Sequence, residues 1–113
     1  MELGPNPTFS EFWHYYLTEH SRPATRAVHL LATLAWLSLL VGALLTRTWW
    51  LLALIPVAAY GLAWFSHFFI ERNRPATFKY PLYSLLADHK MAFYMLTGQI
   101  GRELARLQIN PRP

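Results

Sequence analysis

The chain contains no cysteine, so neither a disulfide framework nor a thiolate metal site is open to it, and the redox compartment leaves no mark. Charge is scarce too. Charged residues make up 14% of the chain, well under the quarter usual in a soluble domain. Between Ala27 and Ile70 the only one is Arg47. A Gly-rich phosphate loop, G-x-S-x-G and H-E-x-x-H are all missing, which removes the commonest nucleotide-binding, serine-hydrolase and zinc-peptidase signatures. The opening Met1–Thr8 is polar and Pro-rich, with no basic stretch leading into an apolar one, so no cleavable signal is expected.

What the chain does have is apolar length. Two runs, Ala27–Thr46 and Trp49–Ile70, are separated by little more than Arg47–Thr48. Each is about 20 residues, enough to cross a bilayer as a helix. So short a connection forces them antiparallel, as a hairpin. Hydrophobic residues reach 54% and aromatics 16% of the 113 residues, and this length predicts one membrane domain over 1–113. The net charge of +4 sits outside the hairpin. Arg22 and Arg26 precede it, while Arg72, Arg74, Lys79, Lys90, Arg102, Arg106 and Arg112 follow. Against the single turn arginine, the positive-inside rule places both termini in the cytoplasm, with the cytoplasmic (inner) membrane as the expected location. Attraction to anionic lipid accounts for the basic balance, and no nucleic-acid partner is expected.

The expected fold is all-α: two spanning helices, 27–46 and 49–70, flanked by an N-terminal interfacial helix and a C-terminal amphipathic one. Thr8-Phe-Ser-Glu11 fits a capping box and opens an aromatic helix over about 9–20, suited to the water–lipid boundary or to packing on the hairpin's cytoplasmic end. Trp49 and Trp50 suit an interfacial belt, and Pro56 and Gly61 mark a kink in the second span. From Pro81, apolar residues recur at Leu82, Leu85, Leu86, Phe93, Leu96, Ile100, Leu104 and Leu107. That helical stripe predicts one amphipathic helix over 81–108, lying against the hairpin and the membrane surface. The tail 110–113 is expected to fray.

Histidine carries the chemistry. His29 and His67 lie about 19 residues either side of Thr48. At about 1.5 Å per residue they return to the same depth, near the cytoplasmic face. Two imidazoles level inside apolar helices are costly without partners and mark a site. His20 is poised above them at the end of the first helix. Three neutral imidazoles with open positions suit iron or zinc. Glu71, four residues after His67, shares its helical face and can bind the metal or hold a histidine N–H. The bland readings are a backbone or Ser66 partner for each histidine, and a pair with Arg74 or Arg22 for Glu71. His14 among the aromatics reads as structural, and His89 as solvated.

The order Tyr16-Leu17-x-x-His20, Arg26-x-x-His29 and His67-x-x-x-Glu71-x-x-x-Pro75-Ala76 resembles the Mpo-like family of small membrane proteins, over roughly Phe9 to Leu96. Its fungal members are iron-dependent dioxygenases that shorten 2-hydroxy fatty acids by one carbon, in alpha-oxidation. Pro81-Leu82-Tyr83-Ser84-Leu85, with Asp88 and Met91, is similar to the short, bacterial-type branch, from which His89 departs. The resemblance implies Fe(2+) on His20, His29 and His67, with zinc as a possible substitute and Glu71 as ligand or orienting group. It also implies a fatty-acyl substrate and dioxygen as partners beside the lipid bilayer. The substrate carboxylate needs a cation, and Arg22, Arg26, Arg72 and Arg74 lie near the same mouth. Two alternatives stay open. One is an electron-transfer protein with a b-type haem between His29 and His67, beside the small residues Ala32, Ala35, Ala63 and Ser66. The other is a non-catalytic structural protein.

Overall fold

Helix α1, Phe9–Glu19, begins as its sequence dictates. In this computed structural model, which describes residues 3–110, Glu11 N–H donates to Thr8 Oγ1 at 3.1 Å and Thr8 N–H donates to Glu11 Oε1 at 3.0 Å. Two otherwise orphaned amides are satisfied reciprocally. Arg112 lies outside the described residues, as does the end of the tail expected to fray. All elements among the described residues are helical.

Pro23 then opens α2, Pro23–Thr46, at the first helical position, where its missing N–H is harmless. Arg47, in the left-handed region at φ 52°, ends it. A 3-10 turn, Trp49–Ala53, leads into α3, Leu54–Phe65, and a π-helical segment, Ser66–Glu71, continues it. Pro56 falls in the first turn of α3, so it breaks no internal hydrogen bond. The irregularity of this span lies at its two ends, and the α-helix runs unbroken through Gly61.

The spans Pro23–Thr46 and Trp49–Glu71 are long and apolar enough to cross a membrane, and little of either is buried by the rest of the chain. Leu45 is 81% exposed, Phe69 69% and Val57 68%. Soluble monomers rarely present such a continuous apolar surface. Bilayer hydrocarbon is the solvent it matches.

The closest packing lies beside the hairpin. Phe12, Trp13, Tyr16 and Leu17 of α1 form one cluster with Ala87 and Met91 of α4 (Pro81–Leu96) and Leu104 of α5 (Ile100–Arg106). Burying an apolar side chain of this size is worth about 1.5–3 kcal/mol. Ring contacts add geometry: Phe12 meets Tyr80 edge-on at 5.4 Å, and Trp13 meets Tyr94 at 5.8 Å. Thus α1 packs on α4 as well as capping the hairpin.

Two features differ from the expected C-terminal helix. First, it is interrupted. Gly98 adopts φ +73°, Gln99 N–H donates to the Tyr94 carbonyl and Gly98 N–H to that of Met95. This is a Schellman stop, which glycine adopts without a Cβ clash. Second, its apolar stripe faces outward. Leu82, Leu85, Leu86, Phe93 and Leu96 are exposed, while Ser84, Ala87, Met91 and Ala92 are buried. The large apolar residues thus occupy the exposed side, with Leu85 and Leu86 also reaching the cavity between α2, α3 and α4, and Ser84, Ala87 and Ala92 with Met91 the buried side.

Candidate metal centre

Each of three elements delivers one imidazole. His20 is the C-cap of α1, His29 sits in the second turn of α2, and His67 lies in the π segment after α3. All three are buried. Their ring centres are 4.4 Å apart for His20–His29, 4.4 Å for His20–His67 and 5.0 Å for His29–His67, with each pair of planes near perpendicular. One ring nitrogen from each lies within 4.8 Å of the others. The two histidines expected at equal depth do meet, and His20 joins them.

The hydrogen bonds fix which nitrogens converge. His20 Nδ1–H donates to the Tyr16 carbonyl at 2.7 Å, and His29 Nδ1–H to the Thr25 carbonyl at 3.0 Å. Ser66 Oγ donates to the Ala63 carbonyl, leaving its lone pair to His29 Nδ1–H at 3.1 Å. His67 Nδ1 meets Asn73 Oδ1 at 2.7 Å, while Asn73 Nδ2 donates to the Glu19 carbonyl and carboxylate. That orients the Asn73 amide with its oxygen toward the histidine. Every Nδ1 therefore carries the proton, and every Nε2 keeps its lone pair.

The Nε2 atoms of His20 and His29 are 3.1 Å apart. Lone pairs so close repel unless a cation stands among them, which is the arrangement a metal site requires. Burial, reinforced by the neighbouring histidines, holds the His20 imidazole well below its ordinary protonation range. It stays neutral and available as a ligand. The donor set fits a divalent transition metal, and a three-nitrogen set leaves positions open.

Glu71, buried in the same π segment as His67, bonds to the start of α2. Its Oε2 accepts from Arg22 N–H at 2.7 Å and from Thr25 Oγ1–H at 2.7 Å, with Ser21 Oγ at 3.5 Å from Oε1. The carboxylate thus caps the start of α2, where a negative charge is favoured by the helix dipole. It ties the π segment to the strand of chain that carries His20. Wide π turns concentrate at functional sites.

Of the four arginines, Arg26 is buried and its Nη1 donates to the His20 carbonyl at 2.9 Å. Arg22 is half-buried at the N-cap of α2, and Arg72 and Arg74 are exposed. Arg72 borders a polar cleft of about 540 Å³ with His14, Glu19, Glu71 and Asn73.

The histidines open instead into an apolar cavity of about 530 Å³ between α2, α3 and α4, walled by residues such as Ala32, Trp36, Ala59, Ala63 and Trp64. None of the four arginines lines it. His89 does; its ring meets Trp36 edge-on at 5.6 Å and its Nδ1–H donates to the Leu85 carbonyl at 2.8 Å. Asp88 lines the cavity too and accepts from the Tyr16 hydroxyl. Burial pushes the Asp88 carboxyl up to about 6, against the opposing pull of Tyr16 and His89. Asn73 is the site residue the sequence did not reveal. It sits past the end of the helix, and only the fold brings it to His67.

A buried group of three imidazoles that could hold a metal, facing an apolar cavity, on a helical hairpin long and apolar enough to cross a bilayer, defines the class of small helical protein to which this chain conforms. The chain belongs to the family described as 2-hydroxy-palmitic acid dioxygenase Mpo1-like, whose model matches residues 7–100. No curated protein and no solved structure matches it.

Proposed function

We propose that this chain is a membrane-embedded, Fe(II)-dependent dioxygenase that shortens 2-hydroxy fatty acids by one carbon. The observation that carries this reading is the convergence of three bare Nε2 atoms at an apolar cavity, in a chain of this family. His20, His29 and His67 would hold the iron. When bound, Fe(II) with open positions supplies a meeting point for dioxygen and the oxygen atoms of the substrate. The cavity receives the acyl chain and excludes water. The overall change balances as a hydroxy acid plus dioxygen giving the shorter acid, carbon dioxide and water. Carbon 1 leaves as carbon dioxide when the bond between carbons 1 and 2 breaks, and carbon 2 becomes the new carboxyl carbon.

Glu71 and Arg26 act by position. The first holds the start of α2, which carries His29, and the second holds the His20 carbonyl. Arg22, Arg72 and Arg74 lie at the polar end, where their charge draws an anionic head group toward the centre. Both termini and this end face the cytoplasm in the inner membrane, by the distribution of arginine and lysine. The geometry does not favour the haem alternative. His20 is closer to the His29 and His67 rings than they are to each other, which crowds the gap a macrocycle would need.

Fe(II)-loaded protein in detergent or liposomes should consume oxygen with a long-chain 2-hydroxy fatty acid and release the acid one carbon shorter. Unsubstituted acids should react poorly. Metal-loaded protein inert toward 2-hydroxy acids of every chain length would overturn the assigned chemistry while leaving the centre intact.

A further inference from the structure

The cavity's walls from α2 and α3 are largely apolar, whereas α4 presents Ser84 and Asp88, one helical turn apart, beside His89, Leu85 and Leu86. Residues at this spacing share a face. Ser84 is 2% exposed, and its Oγ has no hydrogen-bond partner among the described residues. Helical hydroxyls commonly bond back to the carbonyl of the preceding turn, as Ser38 does to Leu34 and Thr33 to His29. Ser84 does not. An unsatisfied buried hydroxyl costs about 1–3 kcal/mol, so Ser84 is a polar atom held ready at an apolar wall.

Asp88 complements it. The Tyr16 hydroxyl donates to one of its carboxylate oxygens, and a carboxylate offers acceptor positions beyond one bond. Tyr16 also stacks on His20, with ring centres 4.0 Å apart. One residue therefore joins this wall to the three-histidine centre. The three histidines, Ser84 and Asp88 line the same cavity.

The donor and acceptor pattern selects the ligand. Ser84 can donate, and ionised Asp88 can only accept. An alcohol hydroxyl can pair with both, accepting from the first and donating to the second. A carboxylate would find one donor and a repelling charge, while a methylene would leave Ser84 Oγ without a partner. Resting on the fatty-acid reading above, we infer that Ser84 and Asp88 form a subsite that reads the 2-hydroxyl of the substrate, with Tyr16 positioning the Asp88 carboxylate. A site built to bond a hydroxyl rejects the analogue lacking it far more strongly than an apolar pocket does.

The test is binding, so it does not depend on turnover. Full-length protein in detergent, with matched metal content in all samples, is titrated with a 2-hydroxy acid and the unsubstituted acid of equal chain length. Trp36 and Trp64 in the cavity wall provide the fluorescence signal. Wild type should prefer the hydroxy acid. Ser84→Ala removes an orphaned hydroxyl and should fold as well as wild type or better. Asp88→Asn keeps an acceptor for Tyr16. Each should reduce the preference on the order of tenfold or more, equivalent to about 1.4 kcal/mol, with affinity for the unsubstituted acid unchanged. Both variants retaining the wild-type preference would overturn the subsite alone. Wild type binding neither acid would overturn the fatty-acid reading and the subsite with it.

Discussion

At the scale of single residues, the centre depends on groups that hold rings in place as much as on the rings themselves. His20 and His29 are oriented by carbonyls of their own helices, one turn back. His67 is oriented across the fold, by Asn73, whose amide is itself anchored on Glu19. Partners of this kind typically account for 10–100-fold in metal affinity. Asn73→Ala should therefore weaken metal binding by about 10–100-fold in competition with a chromogenic chelator, with the helical circular dichroism unchanged. Wild-type affinity in that variant would show that His67 needs no external support. The three histidines were legible in the sequence because imidazoles embedded in apolar helices are conspicuous. Asn73 was not, since no local periodicity relates a loop residue to Glu19 in α1. For Glu71, the spacing of four from His67 suggested a shared helical face, and the structure shows its carboxylate bonded to Arg22 N–H and Thr25 Oγ1. What its carboxylate bonds, the start of α2, follows only from how the hairpin closes.

At the scale of elements, the sequence specified starts and stops better than facings. The capping box of α1 and Pro81 at the head of α4 stand where local chemistry puts them, whereas α2 begins at Pro23, ahead of the apolar run that starts at Ala27. The stop at Gly98 was concealed, because apolar residues at Leu96, Ile100, Leu104 and Leu107 continue a helical spacing across it. The orientation of α4 was concealed for a deeper reason. Periodicity reports that a helix has an apolar side but not which solvent that side meets. In water the leucines of α4 would turn inward. Here the protein-facing side is the one with Ala87, Met91, Ala92 and Ser84. That inversion carries Ser84 and Asp88 to the cavity, so a mistaken facing would also have hidden the subsite.

At the scale of the whole molecule, the hairpin brings two of the three buried histidines level with one another. The short turn at Arg47–Thr48 sets α2 and α3 level, which is why His29 and His67 meet. The distribution of arginine and lysine assigns a side to each end of this hairpin as a testable expectation. Single cysteines at Thr48 and Asn110 in this otherwise cysteine-free chain should react with an impermeant thiol reagent from opposite sides of the membrane, Asn110 from the cytoplasm. Labelling of both from one side would contradict the spanning hairpin. The central claim is that three imidazoles from three elements make one metal centre, and the metal content of gently purified protein tests it most directly. Wild type and His14→Ala should each carry one equivalent of iron or zinc, and His20→Ala, His29→Ala and His67→Ala should each lose it. Full metal retained in every one of those three variants would contradict the account.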